Sequence, residues 1–119
     1  MAAPNLIQVT QVYGRTVSAT VGTAVTILAS NPSASNKAYK LNAFYLANID
    51  NLATVKISVD FFRFGASFRL VDRMDIAPGE TLVVMSRDTS IYLEESDSLR
   101  CYADQDGAIH AVLSYEINS

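Results

Sequence analysis

Apolar residues in this chain recur at every second position, and that period decides the fold class. Between Thr54 and Phe64, Val55, Ile57, Val59 and Phe61 alternate with Thr54, Lys56, Ser58 and Asp60. Between Ala108 and Ile117, Ile109, Ala111, Leu113, Tyr115 and Ile117 alternate with His110, Ser114 and Glu116. Successive side chains of a strand point to opposite faces, so each run has one face for a core and one for solvent. β-branched and aromatic residues fill both runs, and no stretch holds a helical spacing. Both are expected to be core strands.

The same reading predicts strands at Val25–Ala29, Tyr39–Ile49, Ser67–Ile76, Thr81–Met85 and Leu99–Ala103, with a short extended piece at Ile91–Leu93. Turn-forming residues separate them: Asn31-Pro32-Ser33, Asp50-Asn51, Gly65-Ala66, Pro78-Gly79 and Asp104-Gln105-Asp106-Gly107. In Pro78-Gly79 the proline presets φ and the glycine accepts a positive one, which suits a type II turn between antiparallel strands. Short strands at close spacing in 119 residues, half of them apolar, predict an all-β, single-domain antiparallel β-sandwich of jelly-roll-like type. Its core needs no disulfides.

Residues 1–22 read differently from residues 23–119, the expected sandwich domain. Leu6 to Val21 alternates (Ile7, Val9; Val17, Ala19, Val21) but has few bulky anchors. It is either the first strands of the sandwich or an extended N-terminal arm that completes a sheet in a neighbouring subunit. The N-terminus has no basic segment leading into an apolar run, and no stretch approaches the length of a membrane span, so the expectation is a soluble product made inside the cell.

Chemistry is sparse. Nine Lys and Arg against 12 Asp and Glu give a net charge of −3, too weak to gather phosphates at a distance, so nucleic acid is not an expected partner. One cysteine and one histidine cannot form a Cys/His zinc site or a disulfide framework within the chain. His110 reads as a surface residue of a strand, and Cys101, in phase with Leu99 and Ala103, as a small buried hydrophobe. Asp104-Gln105-Asp106-Gly107 resembles the opening of a calcium loop but lacks the later ligands, so a hairpin turn is the better reading. Glu94-Glu95-Ser96-Asp97-Ser98 reads as a solvated loop in which Asp97 bonds nearby backbone amides. No catalytic residue, cofactor or metal site is expected.

Phe61, Phe62, Phe64 and Phe68 flank the Gly65-Ala66 turn, interleaved with Arg63 and Arg69. Apolar residues on both faces of one strand favour cover on both sides, and arginine with aromatics is what interface centres enrich. Leu6, Ile7, Val9, Val12 and Tyr13 of the N-terminal segment, with Phe62, Arg63, Phe64 and Arg69, are the expected contact residues of a homo-oligomer.

Three stretches resemble small virion structural proteins of tailed phages, especially cyanobacterial ones. They are Ala3-Pro4-Asn5-Leu6-Ile7 running to Tyr13-Gly14-Arg15-Thr16, then Ala43–Asn48 with Val55–Arg63, and finally Ser86 to Arg100 followed by Val112-Leu113-Ser114-Tyr115-Glu116-Ile117. The most distinctive part is Tyr92-Leu93-Glu94-Glu95-x-Asp97-x-Leu99 followed by Ser114-Tyr115-Glu116. Ser96 stands where the resemblance leads one to expect glycine, which implies a looser turn.

The resemblance implies a subunit without a catalytic site that is assembled in the host cytoplasm and resides in the virion. Its partners would be the major capsid protein or other virion proteins. A capsid decoration (cement) protein and a neck, tail or fibre-attachment adaptor both fit. A different class, a glycan- or receptor-binding module, would use Tyr39, Tyr45, Tyr92 or Tyr102 as sugar platforms.

Overall fold

The alternating runs become strands within a few residues of their expected ends. In a computed structural model, which describes residues 11–86, 88 and 90–119, these are β1 (Val12–Val21), β2 (Thr26–Ser30), β3 (Ala38–Asn48), β4 (Val55–Arg63), β5 (Ala66–Ile76), β6 (Thr81–Met85), β7 (Ile91–Leu93), β8 (Ser98–Ala103) and β9 (Ile109–Asn118). A five-stranded sheet runs β1-β9-β3-β6, with β7 pairing the other half of β3, and a four-stranded sheet runs β2-β8-β4-β5. Every pairing is antiparallel. The architecture is all-β: two antiparallel sheets packed as a jelly-roll-like sandwich.

The inner faces follow the alternation. Ile57, Val59, Leu99 and Cys101 of the four-stranded sheet meet Leu41, Phe44, Leu46, Ile109, Ala111 and Leu113 of the five-stranded one, all fully buried. Each large aliphatic or aromatic side chain so buried contributes about 1.5–3 kcal/mol. Val12–Val21 pairs with β9 over its whole length as the edge strand β1, whereas Leu6, Ile7 and Val9 lie outside the described residues.

Two turns do something other than expected. Pro78-Gly79 has the geometry of a type II turn, with Gly79 at φ 78° and the Glu80 amide donating to the Ala77 carbonyl at 3.0 Å. It nevertheless joins β5 to β6 across the sandwich, and Asp104–Gly107 likewise carries the chain from β8 to β9 in the other sheet; neither closes a hairpin. Among the described residues only β4 and β5 pair as sequence neighbours, joined by Phe64-Gly65, both at positive φ (54° and 74°), the requirement of a type I′ loop.

Buried asparagines fasten the corners. Asn48 donates its amide group to the carbonyls of Ala53 (2.9 Å) and Ile76 (2.8 Å). Asn31 donates to Lys37 (2.8 Å) and Leu93 (3.0 Å) and accepts from the Ser35 hydroxyl at 2.6 Å. Each ties a loop carbonyl, that of Ala53 or Lys37, to the buried last carbonyl of a strand, that of Ile76 or Leu93.

The Glu94–Ser98 segment is not the solvated loop expected of it. Glu95 and Asp97 are 2% and 1% exposed. Asp97 does accept the Glu94 amide at 2.8 Å, as expected, but it also receives a bidentate pair from Arg63, at 2.9 and 2.5 Å. The turn is closed tightly by Ser96, whose amide donates to Asn31 at 2.8 Å and whose φ is 71°. A left-handed conformation costs a side-chain-bearing residue about 1–2 kcal/mol. Ser96→Gly is therefore expected to raise unfolding stability by about 1 kcal/mol in urea titration.

Candidate functional site

The two outer faces of the sandwich differ in chemistry. On the four-stranded sheet, register sets Asp60 opposite both Arg69 and Arg100, and Lys56 opposite Asp75. Arg69 pairs with Asp60 and Asp72 and donates to the Tyr102 hydroxyl at 3.0 Å. Arg100 lies 3.8 Å over the Phe62 ring, and Lys56 meets Asp75 at 2.7 Å. Most of this face is finished for water: Lys56, Asp60, Arg69, Asp72 and Asp75 are ion-paired within the chain, while Arg100 caps the Phe62 ring and donates to the Ser98 hydroxyl at 3.0 Å.

The five-stranded sheet presents the opposite. Register lines up Thr20, His110, Ala47 and Thr81 in one outward row, Ser18, Val112, Tyr45 and Val83 in the next, and Thr16, Ser114 and Ala43 in a third. None of these eleven positions holds Asp, Glu, Lys or Arg. Val112, Tyr45 and Val83 are 39%, 41% and 53% exposed side by side. Charge returns only in the row Gly14, Glu116, Lys40, Tyr92 at one end. Strand spacing and rise give the uncharged area a footprint on the order of 300 Å², within the size range of patches that mark contact sites. Each residue belongs to a strand whose opposite face is core, so the surface is rigid before any partner arrives.

The expected contact residues fall in two places. Val12 and Tyr13, each 56% exposed, lie at the start of edge strand β1. Phe62, Arg63, Phe64 and Arg69 come together on the β4–β5 hairpin, where three are engaged within the chain: Phe62 under Arg100, Arg69 with Asp60, and Arg63 with Asp97 and Glu94. Phe64, at the hairpin tip, is 80% exposed. The outer face of the five-stranded sheet was missed by sequence reasoning, because its residues are small and polar as often as apolar. The signal that marks it is the missing charge at alternate positions of four separate segments.

The remaining reactive residues have local explanations. Asp104 and Asp106 accept the Lys56 amide (3.0 Å) and the Thr23 amide (2.7 Å), and Asp50 accepts the Leu52 and Ala53 amides, which hold its carboxyl below the usual range. Among the described residues, no three of His, Cys, Asp or Glu are grouped to hold a metal ion. Tyr39 stacks on Tyr115 with ring centroids 5.4 Å apart, and burial raises its hydroxyl pKa. Tyr102 is bound by Arg69, while Tyr45 and Tyr92 are exposed on different rows. His110 is exposed on β9. Cys101 is fully buried, and burial pushes its thiol up to about 12. Since the thiolate is the reacting form, Cys101 is expected to resist an aromatic disulfide reagent at pH 8 in the native protein and to react stoichiometrically in denaturant.

No family model matches the chain, and no curated protein matches it by sequence. Among solved structures, it is similar in fold to a chain of infectious bursal disease virus, Gx strain, with a TM-score of 0.54 and 11% identity. That similarity covers 91% of this chain but 32% of the viral one, so this chain spans about a third of its length. A chain from a structure of Bacillus endospore appendages, described as disulfide-linked pili, aligns over 99% of this chain and 95% of its own length at 17% identity and a TM-score of 0.49. At such identities the likeness to the viral chain concerns the fold, a β-sandwich of jelly-roll-like type.

Proposed function

We propose that this chain is a virion structural protein of a tailed phage, acting as a capsid decoration subunit that cements the shell through protein–protein contacts. The observation that carries this reading is the asymmetry of the two outer faces. One is dominated by ion pairs closed within the chain, and the other is a rigid plane of Thr, Ser, Ala, Val and Tyr, with His110 in its end row and no Asp, Glu, Lys or Arg. A plane with no charge to desolvate can be buried against another protein without leaving unpaired ions behind. The sequence resemblance to phage virion proteins and the fold likeness to a viral chain accord with it.

Quantitative mass spectrometry of purified particles tests the proposal. A decoration subunit gives hundreds of copies per particle, whereas a neck or tail adaptor, which must match one ring to another, gives about a dozen. Absence of the chain from the particles contradicts both.

A further inference from the structure

Among the described residues the sandwich has four strand edges without a paired neighbour, and they are not equivalent. An edge strand offers unpaired N–H and C=O groups to any other strand, and proteins usually blunt it with bulges, charge or shortness. Edge strand β5 is long but carries two irregularities of register against β4, with Arg69, Asp72, Arg73 and Asp75 along it. Edge strands β6 and β7 are five and three residues long, and β2 is five residues long with its own irregularity. Edge strand β1 has the fewest of these defences. It runs for ten residues, keeps an unbroken register with β9 from Val12 to Val21, holds no proline, and has Arg15 as its sole charged residue.

We infer that the open edge of β1 pairs antiparallel with β1 of a second copy of this chain, fusing two five-stranded sheets into one continuous sheet. Self-complementarity argues for a second copy over an unrelated strand. The odd-numbered residues of β1 face the core side, as Val17, Ala19 and Val21 do, and the even-numbered ones face outward. Matching inner face to inner face requires odd opposite odd, and a two-fold axis at Val17 does so along the exposed middle of the strand, short of the buried Val21. It sets Arg15 against the partner's Ala19 and Thr16 against the partner's Ser18. The one charge of each strand then lies off the axis, so like charges never meet, and Thr16 faces the partner's Ser18, a hydroxyl pair of the kind that stabilises antiparallel strands. An isologous contact of this kind closes on itself as a dimer. It would also place two copies of the uncharged outer face side by side in one plane. The inference does not depend on the virion reading and is tested on the isolated protein.

Sedimentation of the full chain at about 100 µM is expected to show a reversible dimer. Thr16→Lys with Ser18→Lys places lysine opposite lysine twice across the axis at exposed positions, and self-association should weaken at least about tenfold with the melting temperature of the monomer unchanged. Thr16→Glu with Ser18→Lys places opposite charges at the same two pairs and should restore the dimer. A wild-type monomer at that concentration overturns the inference, as does a double-lysine variant that dimerises like wild type. A dimer lost on removal of residues 1–10 but unaffected by the double-lysine change overturns it in favour of an exchanged N-terminal arm.

Discussion

Replacing Arg63 by methionine is expected to lower unfolding stability by about 3–5 kcal/mol, and more than Asp97→Asn does, although the two residues form one ion pair. The asymmetry comes from burial. The Asp97 side chain is 2% exposed and that of Arg63 30%, so removing the arginine strands a carboxylate where water cannot reach it. Removing the charge of Asp97 instead leaves an arginine that touches solvent and still reaches Glu94 at 3.0 Å. The asparagine also keeps an oxygen for the Glu94 amide, which limits its cost to about 1–2 kcal/mol. Methionine retains much of the apolar stem, so the loss reports the guanidinium charge, including its contact with the Phe61 ring at 4.9 Å, and not a cavity. Urea titration of both variants checks this. Equal losses, or a larger loss for Asp97→Asn, would mean that the pair is hydrated in solution.

The second large effect is on attachment. Tyr45 and Val83 are cross-strand neighbours on the outer face of the five-stranded sheet, and Tyr45→Lys with Val83→Lys puts two like charges in the middle row of the uncharged plane. Both side chains are exposed, so the cost to folding should stay within about 1 kcal/mol. If this plane is the contact, occupancy on particles should fall at least about tenfold, since a desolvated aromatic at an interface centre commonly carries 2 kcal/mol or more. Lysines at Leu52 and Asn51, exposed in the loop between β3 and β4, should leave occupancy unchanged. A double-lysine variant of the plane that binds like wild type would remove it as the docking surface.

The strands were legible because alternation is local: Val55, Ile57, Val59 and Phe61 announce a strand without reference to the rest of the chain. Partnering is not local. A type II turn at Pro78-Gly79 has the same chemistry whether it closes a hairpin or crosses the sandwich, and here Asn48 decides the path by accepting the Gly79 amide at 3.0 Å and donating its own amide to Glu80 at 2.9 Å. Acidic residues in Glu94–Ser98 looked solvated because the arginine that neutralises Asp97 is 34 residues away. The candidate surface was hidden for the same reason. Val112, Tyr45 and Val83 are ordinary isolated positions until register lays β9, β3 and β6 side by side.

Wherever this chain is incorporated, the outer face of the five-stranded sheet is expected to be covered. A density map of the purified particle measures this directly. Symmetric clusters of the chain are expected, with Val112, Tyr45 and Val83 pressed against a neighbouring protein. A map in which those three residues face open solvent while the ion-paired face of the other sheet makes the contacts would contradict this expectation.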